Sequence, residues 1–212
     1  MADAVLFDLD GTLIPLDAIF AATEETRRRF SLPKISRETI KKEIVGRPFS
    51  AKASFLLSGK ELSGDEKGKA LEFYKSAFEK HYSRQKTFGF VRAVFSILQR
   101  KGIKTAVVTT TESRLAQIVL KRNGISPGFI VGSDHTKESK PSAQPIHLAL
   151  SKLEKKPANA IMVGDSIYDI AAAKSAGCLS AGVLTGLHNR RELQKAGADY
   201  VLANVSEVVE II

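Results

Sequence analysis

An apolar run near the amino terminus, Ala4–Phe7, passes directly into the polar sequence Asp8-Leu9-Asp10-Gly11-Thr12. Four consecutive apolar residues followed by a turn sequence are typical of a strand buried on both faces, as in parallel sheets. Because side chains at positions i and i+2 of a strand point to the same side, the carboxylates of Asp8 and Asp10 are expected to converge. They would converge at the carboxyl end of the strand, where open α/β sheets bind their ligands.

Two carboxylates held close together repel each other unless a positive charge joins them. Mg²⁺ takes oxygen ligands and suits such a pair. Aspartates are also common in turns and helix caps, so the pair alone leaves a structural interpretation open. The residues at the ends of the other strands are needed to choose between the two.

A long helical segment separates the first strand from the next. The second strand is predicted over residues 104–109, a gap far longer than an ordinary βαβ crossover. Turn-forming residues divide the intervening segment, which has no strand pattern. Helices are predicted over residues 18–30, 37–45, 48–57 and 65–84. We therefore expect a helical cap domain, residues 16–87, inserted into a core domain of residues 1–15 and 88–212.

Beyond residue 88 the sequence alternates between helix and strand patterns. Such alternation is typical of an α/β fold with a doubly wound, Rossmann-like parallel sheet. Helices are predicted over residues 90–101, 113–123, 143–153 and 167–176, and strands over residues 129–132, 160–164, 180–183 and 200–201. Gly102, Gly124 and Gly177 are expected to end the helices that precede them.

Polar clusters also come after three of the later strands: Thr109-Thr110-Thr111, Lys140-Pro141, and the sequence from Gly164 to Asp169, Gly-Asp-Ser-Ile-Tyr-Asp. In a parallel sheet the carboxyl ends of the strands lie on one edge, so these residues are expected to share a crevice with Asp8 and Asp10. Phosphoryl transfer needs a nucleophile, a cation and donors to phosphate oxygens, and this set of side chains supplies them. The threonines would also suit a helix N-cap, and Lys140 a solvated surface.

The four strand-end sequences together resemble the haloacid dehalogenase superfamily of hydrolases, because they match its motifs I to IV in type, order and spacing. The helical insertion is similar to the C1-type cap of that superfamily, and the resemblance covers nearly the whole chain. Dehalogenases of the superfamily lack an aspartate at the position of Asp10, which favours a phosphatase or a phosphomutase. Three further segments resemble the phosphoglycolate phosphatase-like branch: residues 140–145, 176–177 and 196–200.

The resemblance implies a role for each motif residue. Asp8 would be the nucleophile that forms an aspartyl-phosphate, and Asp10 the general acid and base. Thr109 and Lys140 would complete the catalytic set. Phosphoryl oxygens would be bound by Thr109, by the backbone N–H of Thr110 and by Lys140. The resemblance also implies a Mg²⁺ site formed by Asp8, the carbonyl of Asp10, Asp165 and, as a ligand or as support for the ligands, Asp169.

Two positions in the insertion bear on substrate and reaction class. Arg47 lies on a predicted cap loop, where it could bind a substrate carboxylate or phosphate, or could equally be a solvated side chain. Relatives of the β-phosphoglucomutase type usually have a cap histidine where this chain has Phe20, which disfavours a sugar phosphomutase. A non-enzymatic phospho-receiver is the third possibility. Receivers place the accepting aspartate on a later strand and have no cap.

The composition and charge of the chain indicate which classes of partner and which compartment to expect. The net charge of +9 comes largely from residues 14–87, with 16 Lys and Arg against 10 Asp and Glu. These basic residues are scattered, which favours attraction of small anions over a nucleic-acid interface. One cysteine, Cys178, fits a reducing compartment, and neither a signal peptide nor a membrane span is predicted. We expect a cytoplasmic monomer or homodimer. The spacing of the four histidines does not predict a metal site: His81, His135, His147 and His188.

Overall fold

The computed structural model describes residues 2–45 and 49–212. Residue contacts divide the chain into two compact units. The first, here called the core unit, comprises Met1–Pro15 and Lys86–Ile212. The second, here called the helical unit, comprises Leu16–Gln85.

The core unit is built on one six-stranded sheet in which every pair of neighbouring strands is parallel. This confirms the predicted α/β class. The strand order is β3-β2-β1-β4-β5-β6. The strands are β1 (Ala4–Phe7), β2 (Lys104–Val108), β3 (Phe129–Val131), β4 (Ala160–Gly164), β5 (Leu179–Val183) and β6 (Tyr200–Leu202).

The order of the strands locates a crevice. From β1 the chain proceeds outward to β2 and β3, and it then returns to the other side of β1 with β4. The register aligns Phe7 with Val163, so β1 and β4 end beside each other. A reversal of this kind opens a crevice at the carboxyl ends of the two strands, where α/β proteins bind ligands. Asp8 and Asp165 are the first residues beyond β1 and β4.

Over its described residues the helical unit contains four helices: α1 (Asp17–Arg29), α2 (Arg37–Glu43), α3 (Phe49–Leu56) and α4 (Gly64–Tyr82). Each lies within one or two residues of a predicted helix over the described residues. α1 packs against α4. Ser63 begins α4 with a capping box, in which its hydroxyl accepts from the backbone N–H of Glu66 and the Glu66 carboxylate accepts from the backbone N–H of Ser63.

A buried arginine ties together three parts of the helical unit. Arg27 on α1 is 3% exposed, and its guanidinium donates to the carbonyl oxygens of Pro33 at 2.7 Å, Leu56 at 2.8 Å and Ser58 at 3.1 Å. Leu56 is the last residue of α3, so the cation also complements the negative end of that helix dipole. Burial lowers the pKa of Arg27. The scattered basic residues of this segment had predicted only a surface that attracts small anions.

Two buried threonines of α1 should respond oppositely to replacement by valine. The Thr26 hydroxyl donates to the carbonyl oxygen of Ala22 at 2.7 Å, whereas the Thr23 hydroxyl has no hydrogen-bond partner within the described residues. We expect Thr26→Val to lower the free energy of unfolding by about 1 kcal/mol, and Thr23→Val to leave it unchanged or to raise it. Urea denaturation of both variants measures the difference. Equal destabilisation by the two substitutions would contradict the claim that only the Thr26 hydroxyl contributes a hydrogen bond.

The part of the core unit that the structure describes also contains the helices α5 (Val91–Arg100), α6 (Ser113–Arg122), α7 (Gln144–Leu153), α8 (Ile167–Ala176) and α9 (Arg190–Lys195). Gly102, Gly124 and Gly177 come after α5, α6 and α8 with φ of +71°, +69° and +73°, which confirms the predicted helix ends. The sequence pattern did not predict α9 or the 3-10 helices at Pro157–Asn159 and Val205–Glu210.

The sheet is covered on both faces, as its continuous apolar strands require. On one face, Leu6 and Met162 join a buried cluster with residues of α7 and α8, including Ile146 and Ala173. Phe7, the neighbour of Leu6, points the opposite way, and its ring centroid lies 5.2 Å from that of Phe95 on α5. No described helix combines the length and the apolar character needed to cross a bilayer.

Candidate active site

Lys140 links two of the predicted acidic residues at the carboxyl edge of the sheet. Its side chain is 6% exposed, and its ammonium donates to Asp8 Oδ1 at 2.5 Å and to Asp169 Oδ1 at 2.7 Å. A third hydrogen bond, of 2.9 Å, goes to the backbone carbonyl of Val108 at the end of β2. All three ammonium protons are therefore used, and the amine is fixed between β1, β2 and α8.

Asp169 is held by the start of α8. Ser166 caps this helix, and Asp169 Oδ2 accepts from its backbone N–H at 3.1 Å and its hydroxyl at 2.6 Å. A Cβ atom at Gly164 would overlap the Asp169 carboxylate, so glycine is needed there for the close approach. With Oδ1 bound to Lys140, both oxygens of Asp169 already accept hydrogen bonds.

The threonine cluster after β2 forms a turn that reaches Asp10. The backbone N–H of Thr111 donates to the Thr109 hydroxyl oxygen at 3.1 Å, so the Thr109 proton can be donated elsewhere. The Thr111 hydroxyl donates to Asp10 Oδ2 at 2.9 Å. Thr109 is 5% exposed, and Thr110 lies between these two residues in the same turn. The turn thus connects β2 with the Asp10 carboxylate beyond β1.

Asp165 is the most enclosed of the predicted metal ligands after Asp169, with 2% of its surface exposed. Its Oδ1 accepts from the Thr12 hydroxyl at 3.2 Å, and its Oδ2 from the backbone N–H of Leu187 at 2.6 Å. Neither donor carries a charge. Asp165 therefore lies buried without the direct ion pair that Asp8 and Asp169 make with Lys140.

The charges of the cluster do not balance. Burial, with the repulsion of Asp169 and Asp165, raises the pKa of Asp8 well above its ordinary value although Lys140 opposes the shift. Burial and Asp169 likewise raise the pKa of Asp165, to about 7. Burial alone would lower the pKa of Lys140, but attraction by Asp169 and Asp8 prevails and the pKa is raised, so Lys140 stays protonated.

This imbalance suits a bound cation. Asp8, Asp165 and Asp169 each offer a carboxylate oxygen, and these oxygens all lie within 4.8 Å of one another. Lys140 supplies one positive charge against these three carboxylates, and buried charge without a counter-ion is costly. The donor set is all oxygen, which fits a hard divalent cation. The side chain of Asp10 is not part of this group of three.

Several functional contacts were missed by sequence reasoning. Thr12 and Thr111 belong to the quoted motifs, but the sequence did not indicate that their hydroxyls bind Asp165 and Asp10. The loop after β5 contributes the backbone N–H of Leu187 and contains no acidic residue or run of basic residues to mark it. Arg47 lies outside the described residues.

The four histidines, for which the sequence predicts no metal-binding pattern, lie in different surroundings. His81 contacts Glu25 within the helical unit, with 2.7 Å between Nε2 and Oε2. This hydrogen bond lowers the pKa of Glu25. The ring centroid of His135 lies 5.9 Å from that of Phe129, and His188 lies edge-on to Tyr168. His147 lies on α7.

Comparison with known proteins identifies the family. Residues 5–183 match the model of the haloacid dehalogenase-like hydrolases, which is more than half of the chain. The chain belongs to the haloacid dehalogenase-like hydrolase family. This confirms the resemblance of the four motifs.

Relatives within the family match end to end. The pyrophosphatase PpaX of Bacillus pumilus is 32% identical, and the match covers 99% of this chain and 96% of the relative. The phosphoglycolate phosphatase of Vibrio parahaemolyticus is 27% identical, with 98% and 95% covered. A solved haloacid dehalogenase-like hydrolase from Streptococcus pneumoniae superposes with a TM-score of 0.83 at 26% identity, with 99% and 98% covered.

Proposed function

We propose that this protein is a Mg²⁺-dependent phosphatase that hydrolyses small anionic phosphomonoesters, of the 2-phosphoglycolate type, through an aspartyl-phosphate on Asp8. The observation that carries the proposal is the separation of two carboxylates into two environments. Asp8 is buried beside Lys140, in reach of the cation site, whereas Asp10 is held by the Thr111 hydroxyl. One residue is thus suited to attack and the other to proton transfer.

In the first step the Asp8 carboxylate attacks phosphorus, and the bond from phosphorus to the leaving oxygen breaks. Asp10 gives its proton to that oxygen, so the leaving group departs with a hydroxyl rather than as an alkoxide. In the second step Asp10 takes a proton from water as the water oxygen attacks phosphorus. The bond between phosphorus and Asp8 breaks, inorganic phosphate leaves, and Asp8 returns as a carboxylate. Thr109 is proposed to donate to a phosphoryl oxygen, with the backbone N–H of Thr110 as a second donor, and the Lys140 ammonium attracts the phosphoryl group by its charge.

Asp8, Asp165 and the carbonyl of Asp10 would hold the divalent cation, which we infer to be Mg²⁺. When bound, the cation offsets the charge between the nucleophile and the phosphate. Asp169 is better suited to support, because its Oδ1 pairs with the charged Lys140 and its Oδ2 accepts from Ser166, whereas Asp165 accepts only from uncharged donors. Its part in the proposal is to fix Lys140 against Asp8.

Metal binding should depend on pH in a defined direction. Asp165 has a folded pKa of about 7 against an ordinary 3.8, so the folded state takes up its proton more readily than the unfolded state. Protonation of Asp165 therefore adds to the free energy of unfolding. This contribution is fully present below the unfolded pKa and is lost as pH rises through about 7. Since Mg²⁺ replaces that proton, we expect it to raise Tm more at pH 8 than at pH 5.5. Thermal melts with Mg²⁺ or with chelator measure this, and an equal shift at both pH values would count against the site.

The substrate class is inferred from the relatives and from charge. The relatives are named for phosphoglycolate and for pyrophosphate, in which a second anionic group lies close to the phosphoryl group that is removed. Excess basic residues in the segment 14–87 favour such anions, and Arg47 is the proposed contact. Pyrophosphate is the second candidate substrate because the Bacillus pumilus enzyme is 32% identical.

The helical unit favours phosphatase activity over phosphomutase activity. Phe20 is buried in α1, with the Arg37 guanidinium carbon 5.0 Å from its ring centroid. Phenylalanine carries no proton for acid–base work. A phospho-receiver is also disfavoured, because Asp8 comes after the first strand and the helical unit is inserted soon after it.

Phosphate release from a panel of esters tests the proposed function. We would assay 2-phosphoglycolate, pyrophosphate, glucose 6-phosphate and p-nitrophenyl phosphate, each with Mg²⁺ and with excess chelator. The proposal predicts the highest kcat/KM for 2-phosphoglycolate and no turnover in chelator. A preference for pyrophosphate would assign the second candidate, and full activity without metal would contradict the mechanism.

Asp10→Asn should separate the two proton transfers. Alkyl phosphates should lose about 10²–10⁴-fold in rate, because their alkoxide must be protonated as it leaves. An aryl phosphate has a good leaving group, so phosphorylation of Asp8 should be largely spared while hydrolysis of the intermediate slows. Rapid-quench measurement with both substrate types tests this. Equal slowing of the two phosphorylation steps would mean that Asp10 acts through structure rather than as an acid.

A further inference from the structure

The loop after β5, residues 184–188 and here called the β5 loop, contacts Asp165 at several points. The backbone N–H of Leu187 donates to Asp165 Oδ2 at 2.6 Å, and that of His188 donates to the Asp165 carbonyl at 3.1 Å. The Thr185 hydroxyl donates to the carbonyl of Gly11 at 2.6 Å. The loop is therefore anchored both to the metal-ligand candidate and to the turn after β1.

Two glycines enclose the Asp165 carboxylate. A Cβ atom on Gly186 would overlap the carboxylate, and a Cβ atom on Gly11 would lie 2.5 Å from Oδ2. Gly11 needs to be glycine for its backbone as well, since its φ is +87°. Gly186 has no such conformational need, because its φ is not in the left-handed region. Close approach to Asp165 is the feature that requires glycine at position 186.

We propose that the β5 loop positions the Asp165 carboxylate for cation binding, with Gly186 as the residue on which this placement depends. A carboxylate buried without an ion pair has few contacts to fix its rotation. Here the hydrogen bonds from Thr12 and Leu187 set its plane, and the two glycines leave room for it between them. Thr185 acts one step further away, because its hydrogen bond to Gly11 holds the loop in place. These residues are positioning residues and do not contact the substrate in this proposal.

Groups that orient metal ligands typically contribute 10–100-fold to metal affinity. Gly186→Ala should displace Asp165 and therefore raise the Kd for Mg²⁺ by about 10–100-fold. Thr185→Val should raise it by less, and Thr185→Ser, which keeps the hydroxyl, should restore the wild-type value. At saturating Mg²⁺ the kcat of these variants should approach that of the wild type, since the catalytic groups are unchanged.

Calorimetric titration of the full chain with Mg²⁺, without substrate, tests the proposal. Gly89→Ala is the matched control, because a Cβ atom there meets no other atom within 4 Å. Weaker binding by Gly186→Ala and Thr185→Val, with wild-type affinity in Gly89→Ala and Thr185→Ser, supports the proposal. Should Gly186→Ala fail to fold, the pair of Thr185 variants decides.

Wild-type affinity in folded Thr185→Val, or in folded Gly186→Ala, overturns the proposal, as does a wild-type protein that binds no divalent cation. This inference rests on the proposed function only for the identity of the cation. Binding without phosphatase activity would reject the proposed function and leave the positioning role supported. Phosphatase activity of the wild type, together with unchanged cation affinity in the variants, would support the proposed function and reject the positioning role.

Discussion

Asp8→Asn is expected to remove phosphatase turnover while the protein stays folded. The amide keeps the size of the side chain but lacks the charge that attacks phosphorus, and loss of a covalent nucleophile typically lowers kcat by at least about 10⁴-fold. Stability should not suffer. The substitution removes one of three clustered carboxylates, and Lys140 keeps its 2.7 Å contact with Asp169. Without metal, Tm should therefore equal or exceed that of the wild type.

The experiment measures kcat with 2-phosphoglycolate beside a thermal melt in chelator. Asp65→Asn is a suitable control, because Asp65 lies on the surface in the first turn of α4 and pairs only with Lys69 among the described residues. This control should keep full activity. If Asp8→Asn retained a substantial fraction of the wild-type rate, Asp8 would not be the nucleophile.

Lys140→Met should have the second largest effect, and it should act on stability as well as on rate. The substitution leaves Asp8 and Asp169 buried without the ammonium that both contact. Breaking a buried ion pair by removing one partner typically costs about 3–5 kcal/mol in the free energy of unfolding. Activity should fall sharply too, because the ammonium is proposed to attract the phosphate by its charge and it holds Asp8.

The loss of stability in Lys140→Met should shrink under two conditions. Mg²⁺ supplies positive charge to the same carboxylates, and lower pH protonates Asp8, because burial raises its pKa well above the ordinary value. Urea denaturation at pH 5.5 and 8, with Mg²⁺ and with chelator, measures both effects, and Lys121→Met at an exposed position of α6 is the control. A loss below about 1 kcal/mol at pH 8 in chelator would show that Lys140 does not balance the cluster.

The fold was largely predictable because its strands are buried on both faces. Ala4–Phe7 and Ala160–Gly164 are continuous apolar runs, and such runs mark parallel strands whatever their neighbours are. Helix α8 begins and ends at ordinary signals, with Ser166 before it and Gly177 after it. The local sequence signals at these positions agree with the fold of the whole unit, so they suffice to predict the strands and helix ends there.

Short elements escaped prediction for a physical reason. α9 spans six residues, fewer than two turns, and too few for an apolar period to be visible. Its signal was a capping box, in which Asn189 and Glu192 each accept from the other's backbone N–H. The 3-10 helix at Val205–Glu210 packs against α5, a contact between distant parts of the chain.

The structure brings together the side chains that the sequence proposed for the site, whereas the sequence did not indicate the groups that hold them in place. Asp8, Lys140 and Asp165 are unusual residues at the ends of apolar strands, and their types indicate the chemistry. Hydroxyl and backbone contacts join positions far apart in the chain: 101 residues between Thr111 and Asp10, and 174 between Thr185 and Gly11. A threonine or glycine is common at any turn, so only the folded structure gives these residues a partner.

The central claim is that turnover passes through a phosphoryl group on Asp8. We would mix the Asp10→Asn variant with an aryl phosphate and Mg²⁺, quench in acid, and map the modified peptide by mass spectrometry. The expected result is one phosphoryl group on Asp8, accumulating because hydrolysis is slowed, and absent from Asp8→Asn. Turnover with no covalent phosphate, or with phosphate on another residue, would contradict the account.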